Sequence, residues 1–312
     1  MKITIDYRLA PELEARLAGL AEQGLEVRAG QSDAELAALA PDTDVLWHVL
    51  KPVTAEFIAT AKGLLQIQKF GIGVNTIDLE AAGERNIPVC NMPGTNSRAV
   101  AELALGLMIT VLRRVVRFDA AMRRGQGWAS IPELQAGAGE IGGRTVGLLG
   151  YGAVARVLGP VLAALGARVI YHDLVEQPEA AAEPVDFGEI LASSDILSLH
   201  IPLTSDSEGL IDAQALARMK PGAVLINTAR GELVEEAALV AALSDGRLAG
   251  AGIDVFAVEP IRDDNPLLAL ENVVLTPHVA WLTGETFGRS LEVATENCRR
   301  LVAGQTLLHR VV

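Results

Sequence analysis

The 312-residue chain predicts two α/β halves, each a doubly wound parallel sheet covered by helices. Three observations carry this expectation. Short β-rich runs alternate with longer helical patterns from end to end, a glycine-rich turn joins a strand to a helix midway, and a long apolar helix separates an early series of strands from a later one. The early series reads Ile3-Thr-Ile-Asp-Tyr7, Asp44-Val-Leu-Trp-His48 and Leu65-Gln-Ile-Gln-Lys69, each followed by an Ala/Leu/Glu-rich stretch. Between the series, Val100, Leu103, Leu107, Val111 and Val115 recur at helical spacing, which predicts one linking helix over about 97–124. Gly125-Gln-Gly127 and Gly137-Ala-Gly-Glu-Ile-Gly-Gly143 then form a connector, and the chain is expected to cross between domains near Pro93 to Asn96. The later series comprises Thr145 to Leu149, Arg168 to His172, Asp195 to Leu199, Ala223 to Asn227, Ala251 to Val255 and Asn272 to Leu275, enough for a doubly wound sheet. Gly159-Pro160, inside a helical pattern, predicts a kink or an unpaired carbonyl. A last helix, about Glu285 to Ala303, is expected to pack back on the first half.

Composition bounds the function. The chain is 50% apolar and 21% charged, as a globular protein of about two domains should be. A net charge of -13 argues against nucleic acid as a partner, since basic clusters are few and short, chiefly Arg113, Arg114, Arg117 and Arg123, Arg124. Those arginines read as a solvated helix face or a contact with a second subunit. The chain opens without a secretory leader pattern, and its longest apolar run, Val100 to Leu112, is interrupted by Glu102 and shorter than the ~20 residues a bilayer requires. The expectation is a cytoplasmic protein without membrane contact. Cys90 and Cys298 share no motif spacing with each other or with the five histidines, so reduced core thiols are expected and no metal site.

The sharpest local signal is Thr145-Val-Gly147-Leu-Leu-Gly150-Tyr-Gly152-Ala-Val-Ala155, a strand, a glycine turn and the start of a helix. This is the dinucleotide-binding pattern of a Rossmann-like domain. Gly150 allows the tight turn, Gly152 lets backbone approach a pyrophosphate, and Ala155 lets helix and strand pack closely, with Tyr151, Ala153 and Val154 lying along the cofactor. Asp173 follows the next strand, 21 residues beyond Gly152, where a carboxylate can bind ribose hydroxyls. Leu174, Val175 and Glu176 offer no positive charge to a 2′-phosphate, so NAD is expected over NADP.

Three more segments stand after strands of the later series: Asn227-Thr-Ala-Arg230-Gly231, Asp254-Val-Phe-Ala-Val-Glu259-Pro260 and Leu275-Thr-Pro-His278-Val-Ala280-Trp281. A guanidinium fork for a carboxylate, a histidine proton donor and an orienting carboxylate are the parts needed to reduce a 2-keto acid beside a nicotinamide. With Lys69-Phe-Gly-Ile-Gly-Val-Asn-Thr-Ile-Asp78, Val100-Ala-Glu102 and Leu199-His-Ile-Pro-Leu-Thr204, these segments make nearly the whole chain resemble the D-isomer-specific 2-hydroxyacid dehydrogenases.

That resemblance implies two Rossmann-like or flavodoxin-like domains. Residues 1–95 and 285–312 would form a split substrate domain, residues 96–284 an inserted NAD-binding domain, and a hinge would close them over the substrate. It implies that Arg230 binds the substrate carboxylate and polarises the keto group, that His278 is the general acid and base, and that Glu259 hydrogen-bonds His278 and fixes its tautomer. Backbone at Ile72 and Gly73 would hold the other end of the carboxylate. Asp254 would face the nicotinamide carboxamide, with His200, Pro202, Thr228 and Ala280 lining the cofactor. His48 and Trp281 are candidates for the substrate pocket, whereas His172 and His309 read as structural.

Asn75 stands where many members of the family carry Asp, which touches a supporting contact rather than the chemistry. Phosphoglycerate dehydrogenases with an appended effector domain, formate dehydrogenases, which pair the histidine with glutamine, and phosphite dehydrogenase, with lysine at the Ile72 position, are poorer matches. The reading that emerges is an NAD-dependent oxidoreductase for a small 2-keto or D-2-hydroxy acid of the glyoxylate/hydroxypyruvate type, working as a homodimer. The alternative from another class is an NAD(H)-sensing, corepressor-like binding protein on the same fold.

Overall fold

The computed structural model describes residues 1–177 and 180–312. It divides into two compact units, Met1–Asn96 with Thr283–Val312, and Ser97–Leu282. Unit 1 carries strands β1 (Lys2–Ile5), β2 (Glu26–Ala29), β3 (Val45–His48), β4 (Gln66–Lys69) and β5 (Val89–Cys90). They alternate with helices α1 (Pro11–Ala18), α2 (Asp33–Leu39), α3 (Ala55–Thr60) and α4 (Leu79–Glu84). All strands pair in parallel in the order β2-β1-β3-β4-β5, the flavodoxin-like arrangement, whose winding reverses between β1 and β3. One face buries Leu46, Ile58, Ile67, Ile77 and Val89.

Unit 2 begins with α5 (Ser97–Leu112), α6 (Val115–Arg123) and α7 (Ile131–Gln135). Its strands are β6 (Thr145–Leu149), β7 (Arg168–His172), β8 (Glu183–Pro184), β9 (Ile196–Leu199), β10 (Ala223–Asn227), β11 (Leu248–Ile253) and β12 (Val273–Leu275). Helices α8 (Ala153–Ala164), α9 (Phe187–Ser193), α10 (Ala213–Arg218) and α11 (Glu236–Ser244) cross between them. The order β12-β11-β10-β9-β6-β7-β8 is wholly parallel and reverses between β6 and β9. Two apolar layers cover its faces, one with Leu107, Met108, Leu148 and Leu158, the other with Ile190, Leu197, Leu225 and Leu239. These are the doubly wound parallel sheets that the alternation of strands and helices predicts.

The single linking helix expected over 97–124 is broken. Gly139 N–H donates to the Leu112 carbonyl at 3.0 Å, in place of a bond from the next helical turn, and Arg114 turns left-handed at φ 52°. Helix α6 restarts after it. Helix α8 runs on through Pro160, which supplies no N–H to the Arg156 carbonyl. Gly159 beside it is required by packing, because a Cβ there would stand 2.8 Å from the Tyr151 hydroxyl.

The last helix, α12 (Gly284–Val302), packs within unit 1, where Phe287 and Phe70 rings lie 5.8 Å apart and Asn297 donates to buried Gln68 at 2.6 Å. Both cysteines are free and buried, and burial pushes their thiols up, Cys90 to about 11 and Cys298 to about 12, which makes them poor nucleophiles. No helix among the described residues is long and apolar enough to cross a membrane.

Candidate active site

The glycine turn sits where the winding of unit 2 reverses. Gly150 follows β6 at φ 92°, and a Cβ on it would come 2.7 Å from the His200 carbonyl oxygen, so only glycine fits. Gly152 stands in front of α8 with nothing within 4 Å of where its Cβ would be, and no side chain caps the helix. The first turn of α8, at Ala153 and Val154, is thus left without a side-chain cap, as an incoming pyrophosphate requires. Ala155 is fully buried against the sheet.

Asp173, just past β7, accepts from Tyr151 N–H at 2.7 Å and from Val175 N–H at 3.2 Å, which anchors the turn and leaves carboxylate lone pairs for ribose hydroxyls. Tyr151 shapes the loop: its N–H is taken by Asp173, and its ring is buried 4.6 Å from that of Tyr171. His200 follows β9, its Nε2 2.9 Å from Ser198 Oγ, and burial holds its pKa down to about 4, so the ring is neutral at physiological pH. Exposed Pro202 follows, its carbonyl accepting from Ser207 Oγ at 2.8 Å. After β10, Thr228 is buried and its Oγ1 has no partner among the described residues. The open Gly152, the uncapped helix, the carboxylate beyond β7 and the orphan hydroxyl together fit NAD(H). Among the described residues, no three His, Cys, Asp or Glu side chains gather as metal ligands.

The residues expected from the sequence to carry the chemistry follow β10, β11 and β12. Asn227 staples its bend, accepting from Ala229 N–H at 3.0 Å and donating to the Arg230 carbonyl at 2.8 Å. Gly231 passes so close to the next segment that a Cβ would lie 1.9 Å from the Phe256 carbonyl carbon. This brings Arg230 toward Glu259. The half-buried Arg230 donates to the Ala229 carbonyl at 2.6 Å, and burial lowers its pKa against the opposing charges of Glu232 and Glu259.

Glu259 accepts from Phe256 N–H at 2.9 Å through one oxygen and pairs with His278 Nδ1 at 2.7 Å through the other. Burial works to raise its pKa, but the His278 hydrogen bond and charge, the Phe256 N–H and Arg230 outweigh it and hold the carboxyl below its usual value. His278 has a left-handed backbone, φ 54°, and donates its N–H to the Asp254 carbonyl at 2.7 Å. Fully buried Asp254 holds that turn together, accepting from the Thr276 hydroxyl at 2.5 Å and from the Val279 and Ala280 N–H groups, both at 2.9 Å. Burial raises the Asp254 pKa against these three bonds. Asp254 thus braces the strained turn that presents His278, a duty its place in the sequence does not indicate. Ala280 and Trp281 are both buried within unit 2.

In unit 1, the segment after β4 has Gly71 at φ 134°, and its carbonyls are claimed: Gly71 O by Met92 N–H at 2.8 Å and Ile72 O by Asn91 Nδ2 at 2.9 Å. The N–H groups of Ile72 and Gly73 donate to nothing among the described residues. His48 is fully buried, with one ring nitrogen on Asp6 and the other 2.7 Å from Thr76 Oγ1. Asn227, Thr276, Asp6 and Thr76 are supporting residues whose tasks the sequence does not indicate, although Asn227, Thr276 and Thr76 lie inside segments that carry the family resemblance. Their common signal is position at or just past a strand end, or in the loop that follows.

Residues 105–280 match the family model described as D-isomer specific 2-hydroxyacid dehydrogenase, NAD binding domain. The chain is 37% identical over 300 residues to the D-3-phosphoglycerate dehydrogenase of Mycobacterium leprae, covering 94% of this chain but only 56% of that protein. It therefore spans little more than half the length of this relative. To the glyoxylate reductase of Korarchaeum cryptofilum it is 38% identical over 263 residues, covering 82% of this chain and 79% of the relative. A crystal structure from Thermus thermophilus superposes with a TM-score of 0.90 at 38% identity over the whole of both chains.

Proposed function

Since the chain belongs to the D-isomer-specific 2-hydroxyacid dehydrogenase family, we propose that it is an NAD-dependent oxidoreductase acting at C2 of a small 2-keto or D-2-hydroxy acid of the glyoxylate/hydroxypyruvate type. The observation that carries this reading is the His278–Glu259 pair, 2.7 Å apart, on the side of unit 2 that also holds Arg230 and the glycine turn. NADH, when bound, supplies the hydride to C2. Glu259 is acceptor-only, so its bond fixes a proton on His278 Nδ1 and directs Nε2 outward, where the imidazolium donates a proton to the carbonyl oxygen. Arg230 grips the substrate carboxylate with its planar fork and steadies the developing oxyanion. In unit 1, the N–H groups of Ile72 and Gly73, which donate to nothing among the described residues, are assigned to binding a carboxylate.

Asp173 selects NAD over NADP through like-charge repulsion with a 2′-phosphate. Asp173→Ala should narrow the preference for NADH over NADPH, measured as the ratio of kcat/KM values, by about 10-fold or more. Equal use of both cofactors by the unaltered protein would remove Asp173 from this role. A homodimer is supported by the exposed apolar side chains Val115, Val116, Met122 and Trp128, the last 81% exposed. A cytoplasmic location agrees with the reduced thiols and with NAD(H) as cofactor.

The substrate is found by following NADH oxidation with glyoxylate, hydroxypyruvate, pyruvate and phenylpyruvate, and NAD reduction with D-3-phosphoglycerate, the compound named in the mycobacterial relative. Turnover with one of the small keto acids is expected. NADH binding without turnover on any of these compounds would overturn the reading.

A further inference from the structure

Where unit 1 reverses its winding, just past β1 and β3, lies a buried polar cluster outside the proton-transfer chemistry. Asp6, His48 and Lys69 are 4%, 0% and 5% exposed. Asp6 accepts the Val49 N–H through one oxygen and pairs with His48 Nδ1 through the other, while Lys69 Nζ donates to the Val49 carbonyl. His48 then ties down both ends of the segment after β4. Its carbonyl accepts from Phe70 N–H at 2.8 Å, and its ring Nε2 lies 2.7 Å from Thr76 Oγ1.

The direction of these bonds follows from donor inventory. An ionised Asp6 only accepts, so the ring proton sits on His48 Nδ1, and the Nε2 of a neutral ring accepts from the Thr76 hydroxyl. Burial, helped by the Lys69 charge, favours the neutral ring against the pull of Asp6. Such groups are stable in a core only when each has its partner, and both ring nitrogens do. Between the two tied ends stand Ile72 and Gly73.

We propose that Asp6, His48 and Thr76 are positioning residues that hold the Phe70–Thr76 segment in the shape in which the Ile72 and Gly73 N–H groups receive the substrate carboxylate. The proposal rests on the function assigned above and gives His48 a task through the loop rather than on the substrate. Thr76 lies 28 residues from His48, so local sequence does not impose the contact.

Thr76→Val keeps the volume and removes the hydroxyl, Thr76→Ala removes it without adding bulk, and Thr76→Ser restores it. With the keto acid that the unaltered protein reduces, Thr76→Val and Thr76→Ala should raise KM by about 5-fold or more while kcat stays within about 2-fold. Thr76→Ser should return KM to within about 2-fold of the unaltered protein. NADH affinity, read by fluorescence titration, should not move, because the cofactor residues belong to unit 2. An unchanged KM in Thr76→Val and Thr76→Ala, or a KM that rises together with the NADH dissociation constant, would overturn the positioning role alone. An unaltered protein that binds NADH and reduces no 2-keto acid would overturn the function beneath it as well.

Discussion

His278→Ala should bind NADH as the unaltered protein does and turn over keto acid about 10²- to 10⁴-fold more slowly. The separation is expected because Gly150, Gly152 and Asp173 build the proposed cofactor turn through bonds that do not involve the imidazole, whereas His278 Nε2 is the proposed donor, left by the Glu259 bond to Nδ1. The backbone needs a control, since residue 278 is left-handed at φ 54° and alanine enters that region at a cost of about 1–2 kcal/mol. Asparagine tolerates it better, so His278→Asn should keep the turn and still lack the proton donor. If both variants lose turnover while NADH titration is unchanged, the loss is chemical. Near-normal turnover in either would remove His278 from the mechanism.

Arg230→Lys should lower kcat/KM by at least about 10-fold, with an expected value near 10²-fold, through both KM and kcat. Lysine keeps the charge but offers a point donor where a planar fork is needed to bind the carboxylate and steady the oxyanion together. The site is also half-buried between Glu232 and Glu259, so a shorter cation would be drawn toward those carboxylates. NADH affinity should hardly change. A lower melting temperature with normal kinetics would make Arg230 a brace for the bend after β10. A stable variant with normal kinetics would defeat both roles.

The parallel, doubly wound character of both sheets is legible in the sequence because β3, β6, β9 and β10 are largely apolar runs between helical patterns, and β4, though it reads Gln-Ile-Gln-Lys, stands in the same alternation. Strands β2, β5 and β8 escape notice: β5 and β8 are two residues each, and β2 reads Glu-Val-Arg-Ala, so all three are ordered by their neighbours rather than by their own pattern. The break after Leu112 is also tertiary in origin, since it needs Gly139, 27 residues away, to take a helix carbonyl. Arg230, Glu259 and His278 stand out in sequence because their types and spacing state a chemistry.

Their supports do not. Gly231 is needed for its approach to Phe256, and Asp254 for its hold on Thr276, Val279 and Ala280, and neither relation exists until the strands are side by side. His48 illustrates the limit most clearly: beside Trp47 and Lys51 it reads as a pocket residue, and only the parallel pairing of β1 with β3 shows Asp6 waiting for it.

Hydride transfer to C2 on one face is tested most directly with NADH deuterated at the transferred position and the best 2-keto acid of the panel that becomes chiral on reduction, followed by chiral separation and mass analysis of the product. Membership of the D-isomer-specific family, with His278 as the proton donor, predicts a D-2-hydroxy acid carrying deuterium at C2. An L-2-hydroxy acid, a product without the label, or NADH that binds and is never oxidised would contradict it.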